Sequence, residues 1–147
     1  MKIAFFSETG NNQRYPRDFP NARTECAWAI ALDAPMCNLN VLPDEKFDLG
    51  IVIIPKNNPN VSLDFIRKCC DKVAVMQEGP HWFFQDYSIE QQFKYFNTLM
   101  DADWIYCHNN SDVDYYRGLG CEDVRVMRRL MITDGLIPRS EWGYTTM

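Results

Sequence analysis

Two histidines, a few carboxylates and one arginine-bearing loop hold most of this chain's capacity for chemistry. His81 follows an apolar run and a Glu78-Gly79-Pro80 turn. An imidazole with an ordinary pKa of about 6.5 can take or give a proton at neutral pH if its ring faces a cleft. The same ring could instead pack beside Trp82 and Phe83. His108 closes another apolar run and suits a strand end that caps the next helix. His81 and His108 could share a metal with Glu78 or Asp86 if their loops converge, but no metal is expected.

Arg14, Arg17 and Arg23 are interleaved with Tyr15, Pro16 and Phe19. Guanidinium groups and ring faces can clamp an anionic or sugar-like ligand by charge and stacking. Salt bridges to Asp18 and Glu25 on a solvated loop are the alternative. Trp82-Phe83-Phe84 lacks basic neighbours, so it reads as a core or interface anchor rather than a base-stacking platform. There is no G-x-G-x-x-G, Walker A, G-x-S-x-G or H-E-x-x-H sequence, which disfavours a tightly bound dinucleotide cofactor.

The elements that must position these groups alternate along the chain. Five short apolar runs read as strands: Ile3–Phe6, Ile51–Ile54, Val73–Met76, Trp104–Cys107 and Val124–Met127. The first four are continuous, which suits strands covered on both faces, and the alternating fifth suits an edge. Leu39–Leu42 is a weaker sixth. Between them, residues 22–34 carry an apolar helical face with Asn21 or Thr24 as N-cap. Ser62, Ser88 (with Gln91 as a capping box) and Ser111 can start three more helices, and Gly118 and Gly120 can end the last.

Strand-helix alternation predicts right-handed crossovers and an open, doubly wound, mainly parallel α/β sheet of Rossmann-like type. Residues 1–135 form one domain, with 136–147 a tail or the start of a connection. In such sheets ligands bind beyond the carboxyl ends of the strands. That rule selects Ser7, Glu8, Thr9, Gly10, Asn11 and Asn12 after the first strand, Pro55 and Lys56 after the Ile51 strand, and Gln77, Glu78, Gly79, Pro80 and His81 after the Val73 strand. It adds Asn109 and Arg128 after the last two. Arg14 and Arg17 join them from the long irregular segment 8–21, whose length suits a binding loop.

Composition sets the outer bounds. The chain has 147 residues, 46% apolar and 24% charged, enough to bury roughly 70% of its unfolded surface in one core. An aromatic content of 14% argues against disorder. No apolar run approaches the ~20 residues of a membrane span, and the apolar start ends too early for a signal peptide. A net charge of −5 argues against nucleic acid as partner. Six cysteines without a C-x-x-C spacing fit a reduced, cytoplasmic protein.

The order of pieces resembles the N-terminal Rossmann-like domain of GT-B glycosyltransferases. The resemblance rests on the Met1-Lys-Ile-Ala-Phe-Phe6 start, the polar loop, the Ala-rich stretch Thr24–Ala34, Phe47–Ile54 and Val73–His81. It rests above all on Ala102-Asp-Trp-Ile-Tyr-Cys-His, the Ser-capped segment ending Leu119-Gly120, and Val124-Arg-Val-Met127. It implies a domain that binds the sugar acceptor, with a nucleotide-sugar as co-substrate held by a second domain or partner chain. It also implies that His81 lies by the reaction centre and that Ser7–Asn12 faces acceptor and donor phosphates. Family members usually carry Gly-Gly in that loop, where this chain has Gly10 alone. The donor domain would follow the residues present, so activity is expected only alongside it. A stand-alone Rossmann-like module for a small ligand or a protein partner is the alternative.

Overall fold

Successive residues of a strand face opposite sides of its sheet, so an uninterrupted apolar run needs cover on both. In the computed structural model, which describes residues 1–19, 23–77 and 86–132, such runs build a six-stranded sheet. Its strands are β1 (Ile3–Ser7), β2 (Met36–Asn38), β3 (Phe47–Val52), β4 (Cys70–Met76), β5 (Trp104–Cys107) and β6 (Val124–Val126). They lie in the order β2-β1-β3-β4-β5-β6, and every neighbouring pair is parallel. Helices α1 (Thr24–Ala31), α2 (Leu63–Arg67), α3 (Ile89–Asp101) and α4 (Asn110–Gly118) accompany them. The fold is the expected α/β Rossmann-like sandwich.

The two faces carry separate cores. Phe5, Leu49, Ile51, Ala74 and Met76 pack with Cys26 and Ala29 of α1. On the opposite face Phe6, Val52, Val73, Val75 and Ile105 meet Leu63 and Ile66 of α2, Tyr95 and Leu99 of α3, and Tyr116 of α4. Each fully buried side chain of this size contributes roughly 1.5–3 kcal/mol. Arg67 closes the lower rim, donating to the Asp101 carbonyl at 2.8 Å and to Asp103 at 3.3 Å. Asp103 in turn accepts from the Val73 N–H at 2.8 Å, joining α2 and α3 to the start of β5.

Several boundaries differ from expectation. The sixth strand is Met36–Asn38, not Leu39–Leu42, because Asn38 Oδ1 accepts from the Asn40 N–H at 2.9 Å and turns the chain there. Helix α1 stops at Ala31 rather than running to residue 34. Asp33 takes a left-handed φ of 51°, and the N–H groups of Asp33 and Ala34 return to the Ile30 and Ala29 carbonyls in a Schellman stop. Its N-cap is Arg23, with no side-chain cap, rather than Thr24; Asn21 lies outside the described residues. Asn109, not Ser111 or His108, caps α4 by accepting from the Asp112 N–H at 3.0 Å. The Ser62 cap and the Ser88/Gln91 capping box form as expected, and Gly120 (φ 105°) ends α4.

Candidate functional site

From β1 the chain goes outward to β2 on one side, then returns to lay β3 on the other. Connections leaving two such neighbours diverge to opposite faces and open a crevice at the carboxyl end of the sheet. A cavity of about 270 Å³ occupies this switch point. Ser7, Glu8 and Thr9 line it from the end of β1, and Arg23 and Glu25 from the start of α1. Ile53, Ile54, Pro55 and Lys56 follow β3, and Met76 and Gln77 close the end of β4.

The site's polar groups are held by their own networks. Glu25 has a side chain only 6% exposed, and its Oε1 lies 2.6 Å from Arg23 Nε. A buried carboxylate needs such a partner, and it also sits in the first turn of α1, where the helix end favours negative charge. The anion at this helix terminus is thus the protein's own. Gln77 is nearly inaccessible; its Oε1 accepts from the Ile54 N–H at 3.2 Å and its Nε2 donates to the Tyr95 hydroxyl at 3.1 Å. Ser7 and Thr9 hydroxyls stand 3.5 Å apart. Among the described residues, two acids (Glu8, Glu25) and two bases (Arg23, Lys56) line the cavity, in balanced charge.

Gly10, Asn11 and Asn12 do not line this cavity; they fasten the loop after β1 to β2. A Cβ on Gly10 would stand 2.0 Å from the Cys37 carbonyl oxygen, so only glycine permits the approach. Asn38 Nδ2 donates to the Glu8 and Gly10 carbonyls, while Asn12 Oδ1 accepts from the Asn38 N–H at 2.9 Å. The loop then runs back along β2, pairing Gln13 with Met36 and covering that sheet edge. Tyr15 stacks on Phe19 with centroids 4.1 Å apart.

Arg14 donates through Nε to the Asp33 carbonyl at 2.9 Å, at the far end of α1 from the cavity. Arg17 and Phe19 belong to the same loop, away from the cavity lining. At the β5/β6 end, Asn109 serves as helix cap, and the Arg128 carbonyl accepts from Trp28 Nε1 at 2.8 Å. His108 is buried, and its Nδ1 lies 2.8 Å from the Met127 carbonyl oxygen. A carbonyl only accepts, so this nitrogen carries the proton. Glu78, Gly79 and His81, with Trp82, Phe83, Phe84 and Trp142, lie outside the described residues.

No protein-family model, curated protein or solved structure matches the chain. The chemistry must therefore be read from the crevice itself. Among the described residues no cluster of three or more His, Cys, Asp or Glu could hold a metal, and no helix is long and apolar enough to cross a membrane. All six cysteines are buried and unbridged. Burial pushes the Cys26 thiol up to about 11, with the Glu25 charge adding to it, and the Cys37 thiol up to about 12. Such thiols are poor nucleophiles.

Sequence reasoning placed Ser7, Glu8, Thr9, Pro55, Lys56 and Gln77 at the strand ends that line this site. It read Glu25 as a salt-bridge partner of the loop arginines, which it is, to Arg23, but not as part of the crevice, for which its place in the first turn of the first helix was the signal.

Proposed function

We propose that this chain is the acceptor-side domain of a nucleotide-sugar-dependent glycosyltransferase. One observation supports the reading above others: among the described residues, the crevice at the β1/β3 switch point is lined by the Ser7 and Thr9 hydroxyls and the exposed Glu8 and Lys56, while Glu25 is paired with Arg23 and the Gln77 amide is bonded internally. That lining suits a neutral, hydroxyl-rich molecule, whose groups both donate and accept hydrogen bonds. A nucleoside diphosphate would want clustered cations and free backbone N–H groups, and here Glu25 already fills the α1 terminus.

The donor then belongs on a second domain or partner chain facing this end of the sheet. In the transfer, an acceptor hydroxyl oxygen bonds to the anomeric carbon as the carbon–oxygen bond to the diphosphate breaks. The nucleoside diphosphate leaves with the electron pair, and the hydroxyl proton passes to a base. By family resemblance that base is His81, four residues past Gln77 in the sequence.

The test is ligand-observed NMR on the purified chain with simple saccharides and, separately, with nucleotide-sugars and free amino acids. Saccharide contacts that weaken in Glu8→Gln and Lys56→Ala variants are the expected result. Binding of amino acids with no saccharide contact would instead favour a stand-alone module for a small zwitterion, a reading that the same two-acid, two-base balance supports.

A further inference from the structure

We infer that the acceptor is longer than one sugar ring, and that its second unit lies in an amide-lined groove between the β2–β3 connection and α2. The inference rests on the acceptor reading and deepens it.

A second cavity, of about 500 Å³, adjoins the first, and Glu8 and Pro55 line both. A ligand seated at the switch point can therefore continue over Pro55 without leaving the protein surface. The far walls come from Asn40 beyond β2, Asn58 and Asn60 on the β3–α2 connection, and Phe65 on α2. The two connections are set by their own side chains: Asn38 Oδ1 accepts from the Asn40 N–H at 2.9 Å, and Asn58 Oδ1 from the Asn60 N–H at 3.1 Å. Those turns present the exposed Asn40 and Asn60 amides to the groove from opposite sides.

The lining selects the chemistry. Among the described residues its lining includes no Lys or Arg, and Glu8 is the one charged member; the nearby Lys68 ammonium sits over the Phe65 ring, 5.5 Å from its centroid. A phosphate or carboxylate would meet that acid without a compensating cation in the lining. An alkyl chain would strip water from several amides and return nothing to them. A neutral glycosyl unit satisfies both constraints. Its hydroxyls can pair with amide N–H and C=O groups, which carry donor and acceptor on one side chain, while its C–H face has the Phe65 ring to rest on. The first cavity, with Glu8, Lys56, Arg23 and Glu25, differs in being charged, so the two compartments would read different ends of one molecule.

The experiment is calorimetric titration of the 147-residue chain with three homologous series. Each pairs a methyl hexoside with its disaccharide and trisaccharide: glucoside with the maltose series, glucoside with the cellobiose series, and N-acetylglucosaminide with the chitobiose series. In the series that binds, the disaccharide should bind at least about tenfold more tightly than the monosaccharide. An Asn40→Ala/Asn60→Ala variant should bring that ratio close to one while monosaccharide affinity stays as it was. Both positions are exposed, and an unchanged circular dichroism spectrum checks the fold. Should the ratio survive in the variant, or mono- and disaccharide bind alike, the groove is not a subsite and the acceptor reading stands without it. If no saccharide of any length binds, both fall together.

Discussion

The Gln77 side-chain amide donates to the Tyr95 hydroxyl at 3.1 Å from a position where neither group meets solvent. Through its other end Gln77 accepts from the Ile54 N–H. One side chain therefore ties the outlet of β3, the outlet of β4 and helix α3 together at the base of the crevice. Gln77→Leu keeps the volume but strands the buried Ile54 N–H, at about 1–3 kcal/mol, and removes one of the Tyr95 hydroxyl's partners. Tyr95→Phe should cost about 1–2 kcal/mol, since it takes the acceptor from Gln77 Nε2 and the hydroxyl from Tyr116. The double variant should lose less than the sum of the singles by roughly 1 kcal/mol, measured by urea unfolding. Additive losses would mean the pair is not coupled.

Two glycines should respond in opposite directions. Gly10→Ala places a methyl against the Cys37 backbone at 2.0 Å, and backbone cannot rotate away. We expect a loss of about 2 kcal/mol or more, as for an overpacked core, together with a looser loop between Ser7 and Asn12. Gly118→Ala meets nothing within 4 Å and lies in the last turn of α4, so it should stabilise by up to about 1 kcal/mol. Thermal unfolding of the two variants beside the parent chain checks both; a neutral Gly10→Ala would show that the loop has another path.

The thiols predict an alkaline limit. Cys26 and Cys37 ordinarily ionise near 9.0, and burial raises them to about 11 and about 12. The unfolded chain therefore loses these protons first. Their contribution is fully present below pH 9 and disappears as pH climbs toward the folded-state values. Each thiol should withdraw on the order of 1 kcal/mol per pH unit across that window. Denaturant midpoints taken between pH 8 and pH 10.5 should fall, and fall less steeply in Cys37→Ala when referred to that variant's own pH 8 value. At pH 8 an aromatic disulfide reagent should react with the native protein slowly, and with six thiols only after unfolding. A rapid native thiol would contradict this account of their environment.

The strands and their helices were legible because the apolar runs are continuous and the crossovers between them are amphipathic. Ser62 and Ser88 announced their helices through caps that work over three residues of sequence. What sequence could not disclose depends on contacts across the sheet. Met36–Asn38 is too short to signal a strand, and becomes one because it pairs with β1 and is pinned by Asn12 and Gln13. The loop after β1 shows its polar residues in sequence but not its division of labour. Ser7 to Thr9 face the crevice, whereas Gly10 to Asn12 hold β2. The aromatic-flanked arginines left a ligand clamp and salt bridges both open; Arg23 pairs with Glu25, and Arg14 spends its Nε–H on the end of α1. Only spatial neighbours separate these roles.

His81 carries the one catalytic expectation taken from family resemblance. A positioned general base contributes about 10²- to 10⁴-fold to a rate. In an enzyme completed by its donor domain, His81→Ala should lower kcat by that order and leave acceptor affinity within about threefold. Saccharide titration of the variant, run beside turnover, separates lost chemistry from lost binding. Near-normal turnover would remove His81 from the mechanism and turn attention to Glu8, the exposed carboxylate shared by the two cavities.

Glu25 sets the charge of the crevice, and a single isosteric change tests that role. Glu25→Gln retains the shape and a hydrogen-bond acceptor toward Arg23, but turns a lining of two acids and two bases into one acid and two bases. It also removes the protein's own anion from the first turn of α1, where the helix end favours an incoming one. The parent chain should show no measurable affinity for inorganic phosphate at millimolar concentration. The variant should acquire it, while saccharide affinity weakens by a few-fold. Phosphate-dependent shifts of the Ser7, Thr9 and Lys56 amide resonances would report the change directly. If the parent chain already binds phosphate through those residues, the crevice is an anion site, and the neutral-acceptor reading is wrong.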